Sequence, residues 1–190
     1  MPTVAVIVGS LSSASINLKY AKALAKLASP LLDFDFIDLS ALPHYNNDLW
    51  ANPPQAVLDL KRKIEAADGV LIVTPEYNRS FTGVIKSALE WGSRPWGQSS
   101  WEGKPVAVTG TSIGAVGAAT AQTQLRSILV HLDMILMGQP EIFLKSTPGL
   151  FDEHDEVTNE ETRTLLLNFV RRFATFVERH GDAGAKIAAE

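Results

Sequence analysis

Five short apolar runs, each followed by a longer stretch with helical spacing, limit what this chain can fold into more than any other feature. Val4-Ala5-Val6-Ile7-Val8 and Val70–Thr74 are apolar on both faces, as strands covered by helices on two sides must be. Phe34–Leu39 alternates acid and apolar residues, the pattern of an edge strand with one wet face. Val106–Thr109 is a fourth strand, and a fifth falls within Met134–Phe143. Between them, apolar residues recur at three- and four-residue spacing from Ser15 to Pro30, Pro54 to Ala67, Gly83 to Trp91, Ala115 to Leu132 and Asn159 to Arg179.

Strands alternating with helices imply an α/β chain wound around one parallel sheet. Right-handed crossovers put helices on both faces. The expected fold is a flavodoxin-like three-layer sandwich whose five parallel strands run in the order 2-1-3-4-5. With 190 residues the chain reads as one domain over 1–180, and the Ala/Gly-rich 181–190 as a frayed C-terminal tail.

Composition removes several function classes. There is no cysteine, so disulfides, thiolate metal sites and a cysteine nucleophile are all excluded. Seventeen basic against 21 acidic side chains leave a net charge of −4, which offers no general attraction to nucleic acid or an anionic membrane. Any bound anion must be held by a local arrangement. No apolar run reaches the ~18 residues of a membrane span, and no basic flank precedes Val4, so a cytoplasmic protein is expected.

In a sheet of this order, ligands bind beyond the carboxyl ends of the strands where the winding reverses, between strands one and three. Three loops meet there. Gly9-Ser10-Leu11-Ser12-Ser13-Ala14-Ser15-Ile16-Asn17 brings four serines and an asparagine to a helix N-terminus, where free N–H groups and the helix dipole favour an anion. The plain alternative is that Ser15 only caps the helix. The loop lacks both the P-loop Gly-Lys-Ser/Thr and the Gly-x-Gly-x-x-Gly of dinucleotide folds, which leaves a single phosphate. Pro75–Gly83 is longer than its turn needs and offers a flat wall with backbone donors and acceptors, suited to a planar heterocycle. The alternative there is a rigid turn with Tyr77 and Phe81 packed.

Gly110-Thr111-Ser112-Ile113-Gly114 satisfies Gly-x-Ser-x-Gly between a strand and a helix, so a serine hydrolase using Ser112 is a rival. Asp133 or Asp152 with His154 or His180 would complete its triad, but no oxyanion loop is visible. Asp152-Glu153-His154-Asp155-Glu156 is acidic enough to suggest a metal, yet consecutive side chains diverge, and no metal is assigned. Tyr45 and Trp50 in one loop, and Trp96 and Trp101 in another, would expose much aromatic area on a monomer, so a homodimer or homotetramer is expected.

Taken together, these motifs resemble the NADPH-dependent FMN reductase family of flavodoxin-like quinone, chromate and azo-dye reductases, over about residues 3 to 178. The most specific stretch is Thr74-Pro75-Glu76-Tyr77-Asn78-Arg79-Ser80, continued by Gly83, Lys86, Ala88 and Glu90-Trp91. Gly9-Ser10-Leu11 with Ser15 and Asn17 precedes it. Ser93-Arg94-Pro95, Gly103-Lys104-Pro105, Gln122, Leu125-Arg126 and Pro140-Glu141 follow in order. The resemblance implies an FMN-dependent oxidoreductase, with NADPH or NADH as reductant and a quinone or similar small molecule as acceptor. It implies FMN phosphate at Ser10, Ser12, Ser15, Ile16 and Asn17. It implies the flavin ring along Pro75, Glu76, Tyr77, Asn78 and Ser80, approached by Ser112 and Gly114. Flavin does the electron chemistry itself, so no side chain is assigned as catalytic. Ser12 stands where the family commonly has arginine, Thr82 and Ile113 where it has proline, and Thr120 and Thr123 where it has arginine and tyrosine. A flavodoxin-like electron carrier is the alternative on the same fold, though a charge of −4 is mild for one.

Overall fold

The computed structural model describes residues 1–181. The expected frayed tail, from residue 182 onward, lies outside the described residues.

The elements are β1 (Thr3–Val8), α1 (Ile16–Ala28), β2 (Asp33–Phe36), α2 (Gln55–Ala66), β3 (Gly69–Val73), α3 (Gly83–Gly92), β4 (Pro105–Ser112), α4 (Ala119–His131), β5 (Ile135–Leu136), β6 (Phe143–Lys145) and α5 (Glu160–His180). The parallel sheet has the expected order, β2-β1-β3-β4-β5, with β6 also paired to β4. Val4–Val8 of β1 run in register with Gly69–Val73 of β3, and Val70–Val73 with Val106–Thr109.

Strand alternation sorts the apolar side chains into two layers. Val4, Val6, Leu71, Val73 and Ala107 face α1 and α5, meeting Tyr20, Leu24, Phe169 and Phe173. Ala5, Ile7, Val70, Ile72, Val106 and Val108 face α2, α3 and α4, meeting Leu60, Ile64, Ile85 and Leu125. Each such Val, Leu or Ile side chain contributes about 1.5–3 kcal/mol by leaving water. Burial on both faces explains why Val4–Val8 of β1 and all of β3 carry no polar residue.

Several boundaries differ from expectation for physical reasons. The glycine at 110 was expected to open a turn, yet β4 runs through it to Ser112. A Cβ there would lie 2.0 Å from the Thr74 carbonyl oxygen, so glycine is required by the neighbouring strand end and not by a bend. The single fifth strand is instead two pieces, with Ile135–Leu136 pairing Pro105–Val106 and Phe143–Lys145 pairing Gly110–Ser112. Pro140, between them, has no N–H for a ladder. β2 stops at Phe36, because its last bond to β1 is from the Ile37 N–H to the Val6 carbonyl and Ile37 and Leu39 then turn onto the α2 layer. α4 starts at Ala119 and not Ala115. Gly117 (φ +56°) first packs its backbone on Phe143, where a Cβ would lie 2.4 Å from the carbonyl.

The expected exposure of four aromatics is mostly overturned. Trp101 is fully buried, its indole N–H donating to the Leu89 carbonyl at 3.0 Å. Tyr45 and Trp50 fold edge-on against buried Trp91, with ring centroids 4.8 and 5.3 Å away. Only Trp96 stays out, 85% exposed. The loop over 40–54 thus packs on α3, and its aromatics are half-buried against the core.

Candidate functional site

The carboxyl ends of β1, β3 and β4 lie side by side at the reversal in strand order, and the loops leaving them are cross-bonded. Gly9 closes in on β3, its N–H donating to the Val73 carbonyl at 2.9 Å. A Cβ at Gly9 would come within 2.4 Å of Ile85 and 3.0 Å of Pro75. From the far side of the second loop, the Thr82 hydroxyl donates to the Gly9 carbonyl at 2.9 Å. The threonine found in place of the family's proline therefore ties the two loops together.

Beyond Gly9 the chain becomes a donor surface. Ser15 caps α1, accepting from the Leu18 N–H at 3.1 Å, and the Lys19 N–H bonds to the Ser15 carbonyl. That leaves the N–H groups of Ile16 and Asn17 without intrahelical partners, at the positive end of the helix dipole. Capping and anion binding, offered as alternatives from the sequence, are therefore compatible. The Ser10 and Ser12 oxygens accept the N–H groups of Ser12 and Ala14 at 3.4 and 3.3 Å, so each hydroxyl hydrogen remains available to a ligand.

The side chains of two residues expected at the site, Asn17 and Glu76, are engaged with the fold. The Asn17 amide is buried and doubly engaged with Thr111. Its Nδ2 donates to the Thr111 carbonyl and its Oδ1 accepts the Thr111 N–H, both at 3.0 Å. Only its backbone N–H is free for a phosphate. The Glu76 carboxylate, 7% exposed, accepts the N–H groups of Thr120 and Ala121 at 3.0 and 3.2 Å. α4 begins after Ala118 at φ 64° with no cap of its own, so Glu76 is its cap, supplied from another loop.

The tip of the second loop is a two-residue turn. Tyr77 and Ser80 exchange backbone bonds at 3.0 and 2.9 Å around Asn78 (φ 50°) and Arg79 (φ 64°). The Ser80 hydroxyl donates to Gln124 Oε1 at 2.7 Å, on α4.

Together the loops enclose a cleft of about 290 Å³. Of the twelve residues expected from sequence, Ser10, Ser12, Ser15, Ile16, Asn17, Pro75, Glu76, Tyr77 and Ser112 line it. Asn78, Ser80 and Gly114 do not. The first two sit on the turn beyond the rim, and Gly114 follows the point where the chain leaves β4. Ala14, Thr111 and Ile113 line the cleft and were not anticipated. Ala14 and Ile113 have no polar side chain to mark them, while Thr111 was passed over beside Ser112. A hollow of about 440 Å³ continues past Ala14, Ile16 and Ile113 towards Lys19 and Phe151.

The donor set fits a phosphate. The cleft offers hydroxyls and helix N–H groups, and its one lining carboxylate is turned away to α4. It also fits a planar apolar group, since Leu11, Tyr77 and Ile113 are 59%, 65% and 79% exposed around it. A hollow of similar size, about 310 Å³, lies beside Trp96 and Asp133. It sits at the amino end of β4, opposite the end where sheets of this kind bind ligands.

The rival chemistries lack their parts. The Ser112 hydroxyl reaches only the Gly114 carbonyl, at 3.4 Å, and no histidine faces it among the described residues. His44 bonds to Ser87, and the His154 ring lies in solvent 3.5 Å from neighbouring Glu153. The acidic 152–156 segment is a loop folded on itself, with Asp152 accepting the His154 and Glu156 N–H groups at 2.8 Å, and pinned by Lys26. Among the described residues no acid/histidine cluster has metal-binding geometry. Burial pushes the Tyr20 phenol well above its ordinary value, with its 2.8 Å bond to Thr109 opposing that. Among the described residues no helix is long and apolar enough to cross a membrane.

Known proteins agree with this architecture. Residues 2–148 match the family described as NADPH-dependent FMN reductase. A 2-hydroxy-1,4-benzoquinone reductase of a Burkholderia species is 48% identical over 174 residues, covering 92% of this chain and 95% of that protein. A quinone reductase of Pseudomonas putida is 45% identical over 177 residues, 93% of this chain and 95% of its own. Among solved structures, the flavoenzyme NAD(P)H:(acceptor) oxidoreductase FerB of Paracoccus denitrificans superposes with a TM-score of 0.92 at 47% identity. That match covers 95% of this chain and 99% of FerB. Cleft, sheet order and sequence lead to one conclusion: the chain belongs to the NADPH-dependent FMN reductase family.

Proposed function

We propose that the cleft between the first and second loops holds FMN, and that the protein passes electrons from NAD(P)H to a quinone or a similar small acceptor. The observation that carries this is the donor set at the switch in strand order. Free hydroxyls and helix N–H groups face a cleft from which the one carboxylate has been withdrawn. The relatives' activities on quinones support the acceptor class.

In this reading Ser10, Ser12 and Ser15 donate to the phosphate together with the Ile16 and Asn17 N–H groups. Pro75, Glu76 and Tyr77 present backbone to the ring. Bound FMN would supply the redox chemistry, accepting hydride from the nicotinamide and giving electrons to the acceptor. Leu11, Tyr77 and Ile113 form an apolar rim on which a planar substrate can stack, and one rim admits the two substrates in turn. No side chain here is asked to act as acid or base.

Purified protein should be yellow, bleach anaerobically on adding NAD(P)H and regain colour with a benzoquinone. Double-reciprocal plots at several quinone concentrations should be parallel. Intersecting lines, or colour that NAD(P)H leaves unchanged, would overturn the reading.

A homodimer or homotetramer and a cytoplasmic location belong to the same proposal. The aromatic argument for assembly now rests on Trp96 alone, stacked under Arg94 at 5.7 Å, alongside the family resemblance. Light scattering decides it, and a 20.6 kDa species would refute it.

A further inference from the structure

Two successive non-glycine residues in the left-handed region form the tip of the second loop, Asn78 at φ 50° and Arg79 at φ 64°. Asparagine tolerates that conformation, whereas an arginine in it is strained. Such strain persists only where the surroundings hold it in place. The Tyr77–Ser80 backbone pair closes the turn, but a lone two-residue hairpin is marginal in water.

One side chain fastens it from outside. Gln124, on the exposed face of α4, donates through Nε2 to the Arg79 carbonyl at 3.0 Å and accepts the Ser80 hydroxyl on Oε1 at 2.7 Å. Both ends of a single amide are thus spent on the turn. Three residues before Arg79, Glu76 fastens the root of the loop to the first turn of the same helix. The ring-side loop is held by α4 at its root and at its tip.

We propose that Gln124 is a positioning residue, which keeps the Asn78–Arg79 turn in its left-handed form and so holds the Pro75–Ser80 loop where it meets FMN. It lies outside the cleft lining and acts only through the loop. The proposal rests on the reading that this loop borders the flavin site.

The test is FMN titration into flavin-free protein by fluorescence quenching, paired with thermal unfolding of the same samples. Gln124→Ala sits at an exposed helical position, where alanine is the better helix former, so it folds. It should weaken FMN binding about fivefold to tenfold, the loss of one to two modest hydrogen bonds, without lowering the flavin-free Tm. Gln124→Leu, which keeps bulk but no hydrogen bond, should behave alike.

The diagnostic arm is rescue. Arg79→Gly creates an Asn-Gly turn that adopts the same backbone unaided. The 3.7 Å Arg79–Glu76 contact it removes joins a 71% exposed guanidinium to the buried carboxylate, so the comparison is made within the Arg79→Gly background, where both proteins lack that contact. In that background Gln124→Ala should cost less than about twofold. Equal FMN affinity in wild type and Gln124→Ala overturns the proposal, as does an undiminished loss in the Arg79→Gly background. Wild-type protein that fails to bind FMN at all would bring down the site assignment first, and this inference with it.

Discussion

Replacing Glu76 by alanine separates a structural role for this carboxylate from a ligand role. α4 starts at Ala119 behind a left-handed Ala118 that has no side-chain cap, and Glu76 accepts its Thr120 and Ala121 N–H groups. At 7% exposure the carboxylate is little screened by solvent. Losing a side-chain cap costs about 0.5–2 kcal/mol, and charge-assisted bonds reach about 1.5–3 kcal/mol, so roughly 2 kcal/mol is expected. For a chain of this size about 2–4 °C follows each kcal/mol, giving a fall in Tm of roughly 4–8 °C. Glu76→Gln keeps a neutral acceptor and loses only the charge–dipole part, about 0.3–1 kcal/mol, or roughly 1–4 °C. Calorimetry on flavin-free protein reads both without interference from the cofactor. A flavin-free Tm within about 1 °C of wild type for Glu76→Ala, with FMN affinity lost, would refute the capping argument and give the Glu76 carboxylate a direct ligand role.

Other perturbations test other parts of the structure. Ser12→Arg adds a charge-assisted donor at an exposed position on the phosphate side of the cleft. FMN should bind several-fold more tightly (about 3- to 10-fold), the gain shrinking in high salt and absent for riboflavin. Equal FMN affinity would mean that another group already supplies the charge. Gly110→Ala drives a Cβ to 2.0 Å from the Thr74 carbonyl between two strands. It should destabilise the fold at the upper end of the ~1–3 kcal/mol overpacking range, while an unchanged urea midpoint would contradict the geometry. The Glu156 N–H first, then the His154 N–H, holds the Asp152 carboxyl below its ordinary value of 3.8. Its ordering of the 152–156 loop is therefore present above pH 3.8 and lost as pH falls through the lower, folded value. Amide shifts of residues 154 and 156 should titrate with a midpoint under 3.8, and a midpoint at or above it would refute the assignment.

The layered fold was legible in the sequence because burial on two faces leaves a local mark. The buried stretches Val4–Val8 and Gly69–Val73 contain no polar residue, α1 must carry Leu18, Ala21 and Leu24 on one side, and the order of such runs narrows the topology to a few choices. The position of the cleft followed from the same order, since the switch between β1 and β3 names its loops in advance. Nine of the twelve expected site residues line it for that reason.

What each polar side chain does there was decided only by tertiary structure. Asn17 and Glu76 line the cleft, and nothing next to them in the chain shows that their side chains are engaged with other elements. Their partners are 94 and 44 residues away, on β4 and α4. The same distance hid the reason for Gly110, whose neighbour is a carbonyl at the end of β3, and the burial of Trp101 under α3. A strand's apolar pattern depends on whether water reaches it, which composition records. A hydrogen bond depends on which groups the folded chain brings within about 3 Å at the right angle, and one residue's identity does not record that.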